Sequence, residues 1–141
     1  MMNALTVGQL TQKAHIHIET VRYYEKLGLM PVPRKNTSGY RQYSEHDVTR
    51  LAFIKHAQEL GFSLKEIREL LSLRVSSKMS CSDVKKKAEA KIQDIAKKIK
   101  TLQRMQQALE KLTRECDGRG PVGECPILEA LEQERTPLEK A

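Results

Sequence analysis

The longest regular pattern of apolar and polar positions lies between residues 82 and 117, where neither Gly nor Pro interrupts the chain. Apolar side chains recur there at intervals of three, four, three and seven residues. Heptad spacing sustained over this length predicts one long helix that pairs with another helix. We call these positions the seam. Its apolar members are Ile92, Ile95, Ile99, Leu102 and Leu109, and the same frame includes Gln106, Thr113 and Cys116.

Two shorter helices are predicted near the beginning of the chain. Thr6 is a suitable N-cap for a helix over residues 7–14, and after a tight turn a second helix covers residues 18–27, with Gly28 ending it. Two short helices joined by a tight turn are typical of the helix-turn-helix unit, whose second helix enters the major groove of DNA. The side chains expected on its exposed side are His17, Thr20, Arg22, Tyr23 and Lys26.

A β-ribbon wing is predicted over residues 31–43, because two short extended pieces flank an Asn-Thr-Ser-Gly turn. Arginine, lysine and tyrosine side chains can bind phosphate oxygens. Tyr43 is expected to pack at the base of the wing instead. The candidate phosphate contacts of the wing are Arg34, Lys35, Tyr40 and Arg41.

A second pair of helices is predicted after the wing. Capping-box patterns begin at Ser44 and at Ser63, and Gly61 separates the two helices. Lys55 is an exposed candidate for a further phosphate contact. The residues expected to face the core are Val48, Leu51, Ile54 and Leu60 in the first helix and Leu64, Ile67, Leu70 and Leu71 in the second.

The three cysteines lie at the two ends of the long helix. Ser80 and Asp83 form a capping pattern that makes Cys81 the first helical residue, and 35 positions separate Cys81 from Cys116. A continuous helix places these two residues roughly 50 Å apart. An antiparallel pair of identical helices would bring Cys81 of one chain near Cys116 of the other. The eight residues between Cys116 and Cys125 include three Gly and one Pro, which predicts a loop that returns one sulfur to the other.

Three thiolates form a soft site, which favours Hg(II), Pb(II), Cd(II), Cu(I) or Zn(II) over Mg²⁺ or Ca²⁺. Three-sulfur coordination suits Hg(II) and Pb(II), whereas zinc usually takes four ligands. The nearest further donors, Asp117 and Glu124, are hard oxygens. There are two alternatives to a metal site. The cysteines could be buried and unreactive, or Cys116 and Cys125 could form a redox pair.

Composition narrows the class of protein. The formal net charge of +7 favours an anionic partner, most simply nucleic acid. Much of the excess lies on the long helix, however, where lysines are typical of a solvated face. The chain shows neither a signal-peptide pattern nor a run of about 18 apolar residues, so we expect a cytoplasmic protein without a membrane partner. No catalytic constellation, phosphate loop or cofactor fingerprint is recognisable, so we do not expect an enzyme.

The stretch Thr-Val-Arg-Tyr-Tyr-Glu-Lys-Leu-Gly-Leu, followed by Gly-Tyr-Arg-Gln-Tyr, resembles the N-terminal signature of MerR-family transcriptional regulators. The resemblance runs from Leu5 to about Leu73 and continues along the long helix to the cysteines. It implies a homodimer that binds double-stranded promoter DNA and represses without metal. It also implies activation by metal, through distortion of the promoter so that RNA polymerase can engage it. In such proteins the wing arginine and tyrosine grip the DNA backbone, which here implicates Arg34, Tyr40 and Arg41.

The resemblance also narrows the choice of effector metal. Copper-sensing relatives typically carry Ser at the position of Cys81, and zinc-sensing relatives typically carry a further Cys and a His in the loop. Residues 117–124 contain neither Cys nor His. The pattern therefore resembles the mercury- and lead-responsive branches. We expect Hg(II) as the effector, with Pb(II), Cd(II) and Zn(II) as alternatives, bound by Cys81 of one protomer and Cys116 and Cys125 of the other.

The expected fold is mainly α, with a winged helix-turn-helix DNA-binding domain, a long antiparallel coiled-coil dimerisation helix and a C-terminal metal-binding loop. The expected organisation is a DNA-binding domain with the second helix pair over residues 1–75, a linker and dimerisation helix over 76–115, and the loop, a short helix and a tail over 116–141. A thiol redox-sensing transcription factor and a metal-buffering protein on the same scaffold are the alternative functions.

Overall fold

The computed structural model describes residues 4–133, and its regular structure is almost entirely helical. No helix in this described part of the chain is long and apolar enough to cross a membrane. These described residues divide into two compact units, the first ending at Lys86 and the second beginning at Lys87. The elements in chain order are α1 (Val7–Ala14), α2 (Ile18–Lys26), β1 (Arg34–Lys35), β2 (Arg41–Gln42), α3 (Glu45–Glu59), α4 (Leu64–Val75), α5 (Cys81–Glu115), a 3-10 turn (Val122–Glu124) and α6 (Pro126–Leu131).

The first unit begins with the predicted helix-turn-helix. The hydroxyl of Thr6 accepts a hydrogen bond from the N–H of Gln9 at 3.1 Å, and the Gln9 side chain accepts one from the N–H of Thr6 at 2.9 Å. This capping box satisfies two of the free N–H groups at the start of α1. His15 adopts a left-handed conformation, with φ 55°, and turns the chain into α2. After α2, Gly28 takes φ 78°, as expected for the residue that follows a helix C-cap.

The wing is a two-stranded antiparallel ribbon in which Arg34 pairs with Gln42 and Lys35 pairs with Arg41. Its turn is closed by the side chain of Asn36, whose Oδ1 accepts hydrogen bonds from the N–H groups of Ser38 and Tyr40, each at 2.9 Å. The ribbon of the predicted wing is therefore confirmed.

Helices α3 and α4 begin at the predicted capping boxes. Asp47 accepts a hydrogen bond from the N–H of Ser44 at 2.8 Å, and Glu66 accepts one from the N–H of Ser63 at 2.8 Å. Helix α1 packs against α2 and α3, and α3 packs against α4. Each fully buried aliphatic side chain contributes about 1.5–3 kcal/mol to folding. The fully buried side chains of the core are Leu10, Val21, Leu29, Met30, Leu51, Ile54 and Ile67.

The expected core assignment was wrong for Leu60, whose side chain is 66% exposed. Leu60 is the C-cap of α3, one residue beyond the last helical position, so it leaves the apolar stripe of that helix. Phe53 and Phe62 pack against the core instead. Leu29 and Met30, which the periodicity of α2 did not include, are buried because the chain turns inward after Gly28.

The long helix was predicted without a break, and α5 is a single helix of 35 residues. In the second unit, Ala108 and Leu112 are buried, whereas the apolar seam residues of the single chain are exposed. Their exposed fractions lie between 39% for Ile95 and 62% for Leu102. The 3-10 turn and α6 follow α5 and belong to the second unit.

Candidate DNA interface and thiol pair

Helix α2 divides its side chains between the core and solvent. Val21 and Tyr24 are buried, whereas Arg22, Tyr23 and Lys26 are exposed. Because successive residues turn by about 100° around a helix, these three exposed side chains lie on one face. A guanidinium, a phenol and an ammonium on one face can bind base edges and phosphates.

The two candidates at the start of α2 differ in their surroundings. His17 is the N-cap residue and is exposed, but its side chain makes no capping hydrogen bond. Thr20 lies within the helix and is half-buried. Lys55 belongs to α3 and is exposed there.

Polar contacts with α3 and α4 hold the inner side and the C-terminal end of α2. The Tyr24 hydroxyl donates a hydrogen bond to Oε1 of Gln58 in α3 at 2.8 Å. Arg50 of α3 donates to the carbonyl of Leu29 at 2.5 Å, and Arg68 of α4 donates to the carbonyl of Leu27. Positive charge near a helix C-terminus is favourable, so the two arginines fix the end of α2 electrostatically as well.

The wing residues fall into two groups. Arg34 of β1 and Tyr40 of the turn are exposed, Tyr40 by 71%. Arg41 of β2 instead forms an ion pair with Glu25 of α2, with 2.6 Å between Nη1 and Oε2. The Tyr43 hydroxyl donates to the other carboxylate oxygen of Glu25 at 2.8 Å. Burial raises the pKa of Tyr43, which keeps this hydroxyl a donor.

Cys116 and Cys125 meet in the second unit. Cys116 directly follows α5, and Cys125 is the N-cap residue of α6. Between them Gly118 and Gly120 adopt positive φ values of 77° and 95°, which residues with a side chain rarely do. The pKa of Cys125 is lowered, chiefly by the backbone N–H groups of Leu128 and Ile127 at the start of α6 and further by the side chain of Cys116. The predicted return of the loop is therefore present in the structure.

Cys81 is the first residue of α5 and is exposed. The start of this helix is capped by Asp83, which accepts a hydrogen bond from the N–H of Ser80 at 2.8 Å. The same contact lowers the pKa of Asp83. All three thiols are free, and no group of three His, Cys, Asp or Glu side chains suited to a metal is found among residues 4–133 of a single chain.

Sequence reasoning missed the residues whose side chains hold α2 from its inner side. Glu25 comes four positions after the buried Val21, so the helical period already places it on the inner face of α2. A charge on such a face requires a partner, which the sequence could have indicated. Gln58, Arg50 and Arg68 carried no such signal, because their partners are distant in the chain.

The sequence matches two family descriptions that overlap along the chain. Residues 5–73 match the MerR HTH family regulatory protein model, and residues 48–112 match the model described as MerR, DNA binding. Together they include α1 to α4, the wing and most of α5.

Individual relatives cover nearly the whole chain. The mercuric resistance operon regulatory protein of Bacillus cereus is 43% identical over 89% of this chain and 95% of its own length. Among solved structures, the transcription regulator PbrR691 of Ralstonia metallidurans CH34 in complex with lead(II) superposes with a TM-score of 0.79. It is 36% identical and covers 90% of this chain and 98% of its own.

A second solved structure is that of the dual function transcriptional regulator MerR from Bacillus megaterium MB1 in complex with mercury(II). It has a TM-score of 0.69 and 38% identity, over 92% of this chain and 100% of its own. The two family matches, the identity to these regulators and the similarity of fold over about nine-tenths of the chain agree with one another. The chain belongs to the MerR family of helix-turn-helix, metal-responsive transcriptional regulators.

Proposed function

We propose that the protein is a homodimeric regulator that activates heavy-metal resistance genes when Hg(II) binds three cysteines. The observation that carries this proposal is the meeting of Cys116 and Cys125 at the end of α5, in a member of a metal-responsive family. Two adjacent sulfur donors fit a soft cation and provide two of the three ligands. The metal would bind one conformation of the dimer more tightly than the other, and its binding would shift the dimer towards that conformation.

The DNA contacts would come from α2, the wing and α3. The exposed face of α2 is suited to the major groove, where an arginine can read guanine and a tyrosine hydroxyl can bind phosphate. Arg41 stands apart from the other candidates because its guanidinium is paired with Glu25. The proposed contacts are His17, Thr20, Arg22, Tyr23, Lys26, Arg34, Tyr40 and Lys55.

The exposed seam of α5 supports a homodimer. Five apolar side chains at heptad spacing, each 39% or more exposed in the single chain, require a partner surface. A second copy of the same helix supplies a surface with the same spacing. An isologous pair of this kind is the commonest arrangement of soluble oligomers.

The third thiol would come from the partner protomer. Helix α5 begins at Cys81 and ends immediately before Cys116, so the helix itself keeps these two cysteines of one chain apart. An antiparallel pair of α5 helices brings Cys81 of one protomer to the Cys116 and Cys125 of the other. On this arrangement residues 1–75 bind DNA, residues 76–115 dimerise and residues 116–141 complete the metal site.

Mercury is the preferred metal because three thiolates suit it and because the loop offers only oxygen donors beyond its two cysteines. Relatives bound to mercury(II) and to lead(II) are both similar to this chain, so lead is the next candidate. Cd(II) and Zn(II) follow. Activation would work by deformation energy, since a bent and untwisted promoter lets RNA polymerase engage both of its elements.

The experiment that tests this function is a promoter-activation series. A reporter under the promoter bound by this protein is measured with salts of Hg, Pb, Cd, Zn, Cu and Au at sub-inhibitory concentrations. We expect the lowest activating concentration for Hg(II). Activation by Zn(II) or Cu(I) below the concentration needed for Hg(II) would refute the proposed effector. A promoter that stays silent with every metal would refute the metal response itself.

A thiol redox sensor on the same scaffold is the second candidate function. The contact between Cys116 and Cys125 favours it, because two neighbouring thiols can form a disulfide. Metal titration under reducing conditions separates the two functions. Tight binding of one Hg(II) per three-thiol site supports the metal sensor. Promoter activation by a thiol oxidant in metal-free medium supports the redox sensor.

A further inference from the structure

One carboxylate of the recognition helix holds two residues of the wing. Glu25 lies on α2, and only 6% of its side chain is exposed. Its Oε2 atom is 2.6 Å from Nη1 of Arg41, and its Oε1 atom accepts the hydroxyl of Tyr43 at 2.8 Å. Arg41 belongs to β2, and Tyr43 follows β2 and bridges to Leu5.

Both oxygens of the Glu25 carboxylate are occupied by these two partners. A buried carboxylate is costly unless both oxygens are hydrogen-bonded, and here each oxygen has a partner. The Tyr43 side chain is buried as well, and about a third of the Arg41 side chain is exposed. The charge of Arg41 is therefore balanced by Glu25 at close range, which leaves less of it available to a DNA phosphate.

The position of Glu25 gives the contact a purpose beyond stability. Glu25 lies between Arg22 and Lys26 in the chain, but its side chain is buried and bonded to Arg41 and Tyr43, whereas Arg22 and Lys26 are exposed. The contacts of Glu25 therefore do not involve the exposed side chains of α2. At the other end of the contact, Arg41 pairs with Lys35, next to the exposed Arg34 of β1. One side chain thus connects the element that enters the groove with the ribbon beside it.

We propose that Glu25 is a positioning residue that locks the wing to the recognition helix, and that Arg41 acts through Glu25 rather than on a phosphate. The lock keeps a single spacing between the base-reading face of α2 and the phosphate contacts of the wing. Without it, the wing must be ordered when DNA binds, and that entropy cost is subtracted from the affinity. The inference rests on the proposed function, in which α2 and the wing both contact the operator.

A double-mutant cycle on the full-length protein tests the lock. Glu25→Gln keeps the size of the side chain and an acceptor for Tyr43 but removes the charge, and Arg41→Gln removes the other member of the pair. Operator affinity is measured by fluorescence anisotropy at several salt concentrations. We expect each single variant to bind about tenfold more weakly, and the double variant to bind no more weakly than either single one.

The salt dependence identifies the role of Arg41. Loss of one phosphate contact lowers the slope of log affinity against log salt by about 1. We expect the slope to remain unchanged in Arg41→Gln and to fall by about 1 in the matched control Arg34→Gln, on the neighbouring strand. Additive losses in the cycle, or a lower slope in Arg41→Gln, would overturn the proposal and make Arg41 a phosphate contact.

A measurement without DNA separates this proposal from the proposed function. Hydrogen exchange of the wing amides in the free protein should be at least about tenfold faster in Glu25→Gln, while the amides of α1 and α3 keep their protection. Unchanged wing exchange would refute the lock even if operator affinity fell. Faster wing exchange, in a protein that does not bind its promoter, would preserve the lock and refute the DNA-binding function.

Discussion

The hydroxyl of Tyr24 donates a 2.8 Å hydrogen bond to Oε1 of Gln58, which ties α2 to α3, the first helix of the following pair. Tyr23, the preceding residue, is turned about 100° around α2 from Tyr24 and is 51% exposed. Two adjacent tyrosines therefore have different tasks. One holds the helix in the fold, and the other is available to a phosphate.

Removing each tyrosine hydroxyl in turn should separate stability from DNA binding. We expect Tyr24→Phe to lower the free energy of unfolding by about 0.5–1.5 kcal/mol, because a hydrogen bond of a buried side chain is lost. Tyr23→Phe should change stability by less than about 0.5 kcal/mol, since that hydroxyl is exposed. It should nevertheless weaken operator binding. Urea denaturation and gel-shift titration of both variants check this, and equal unfolding energies would contradict it.

Arg22 is the strongest candidate for reading a base. We expect Arg22→Ala to weaken operator binding by about 1–3 kcal/mol and to reduce discrimination against a changed base in the half-site. The matched control is Lys65→Ala, which also removes one exposed positive charge but lies on α4. Gel-shift affinities for the native and substituted operators give the comparison. An affinity equal to that of the control would exclude Arg22 from the interface.

The cysteines should act as one site shared between protomers. We expect Cys81→Ser, Cys116→Ser and Cys125→Ser each to abolish the metal response while operator binding without metal is retained. A heterodimer of a Cys81→Ser chain with a Cys116→Ser/Cys125→Ser chain should keep one intact site. The two chains carry different tags so that the heterodimer can be purified, and equilibrium dialysis then measures its mercury content. Half the wild-type mercury content supports the shared site, and loss of all mercury excludes it.

The seam of α5 should determine the oligomeric state. Ile99→Asp places a charge in the apolar seam, and we expect it to convert a dimer into a monomer at micromolar concentrations. Gln93→Asp adds the same charge on the opposite side of α5 and serves as the control. Sedimentation velocity of both variants distinguishes the outcomes. A dimeric Ile99→Asp protein would show that the seam is not the dimer interface.

The lowered pKa of Cys125 predicts its reactivity. A lower pKa keeps the thiolate populated at lower pH, so alkylation of Cys125 by iodoacetamide should continue to lower pH than alkylation of free cysteine. The N–H groups of Leu128 and Ile127 contribute more to the lowered pKa of Cys125 than Cys116 does. Cys116→Ser should therefore leave most of the difference in alkylation profile between Cys125 and free cysteine in place. Peptide mapping of alkylation rates across pH checks the profile, and coincidence with free cysteine would contradict it.

Local patterns in the chain determined most of the secondary structure. The caps at Thr6, Ser44 and Ser63, the end of α3 shortly before Gly61 and the unbroken α5 all depend on residues only a few positions apart. Such signals require no knowledge of the tertiary fold. The resemblance of the two N-terminal motifs to a known family was likewise readable from the sequence and was confirmed by the comparisons.

Only the tertiary structure decided which side chains of the candidate site face inward. Arg41 and Arg34 look equivalent in the sequence, yet one binds Glu25 and the other is exposed, because the partner lies 16 positions away on another element. Leu60 left the core because α3 ended just before it. The sequence alone thus determined the elements and the family, through contacts between near neighbours. The tertiary structure determined which residues pair with the buried charges. A charge removed from water needs a partner that is close in space, and that partner can be distant in the sequence.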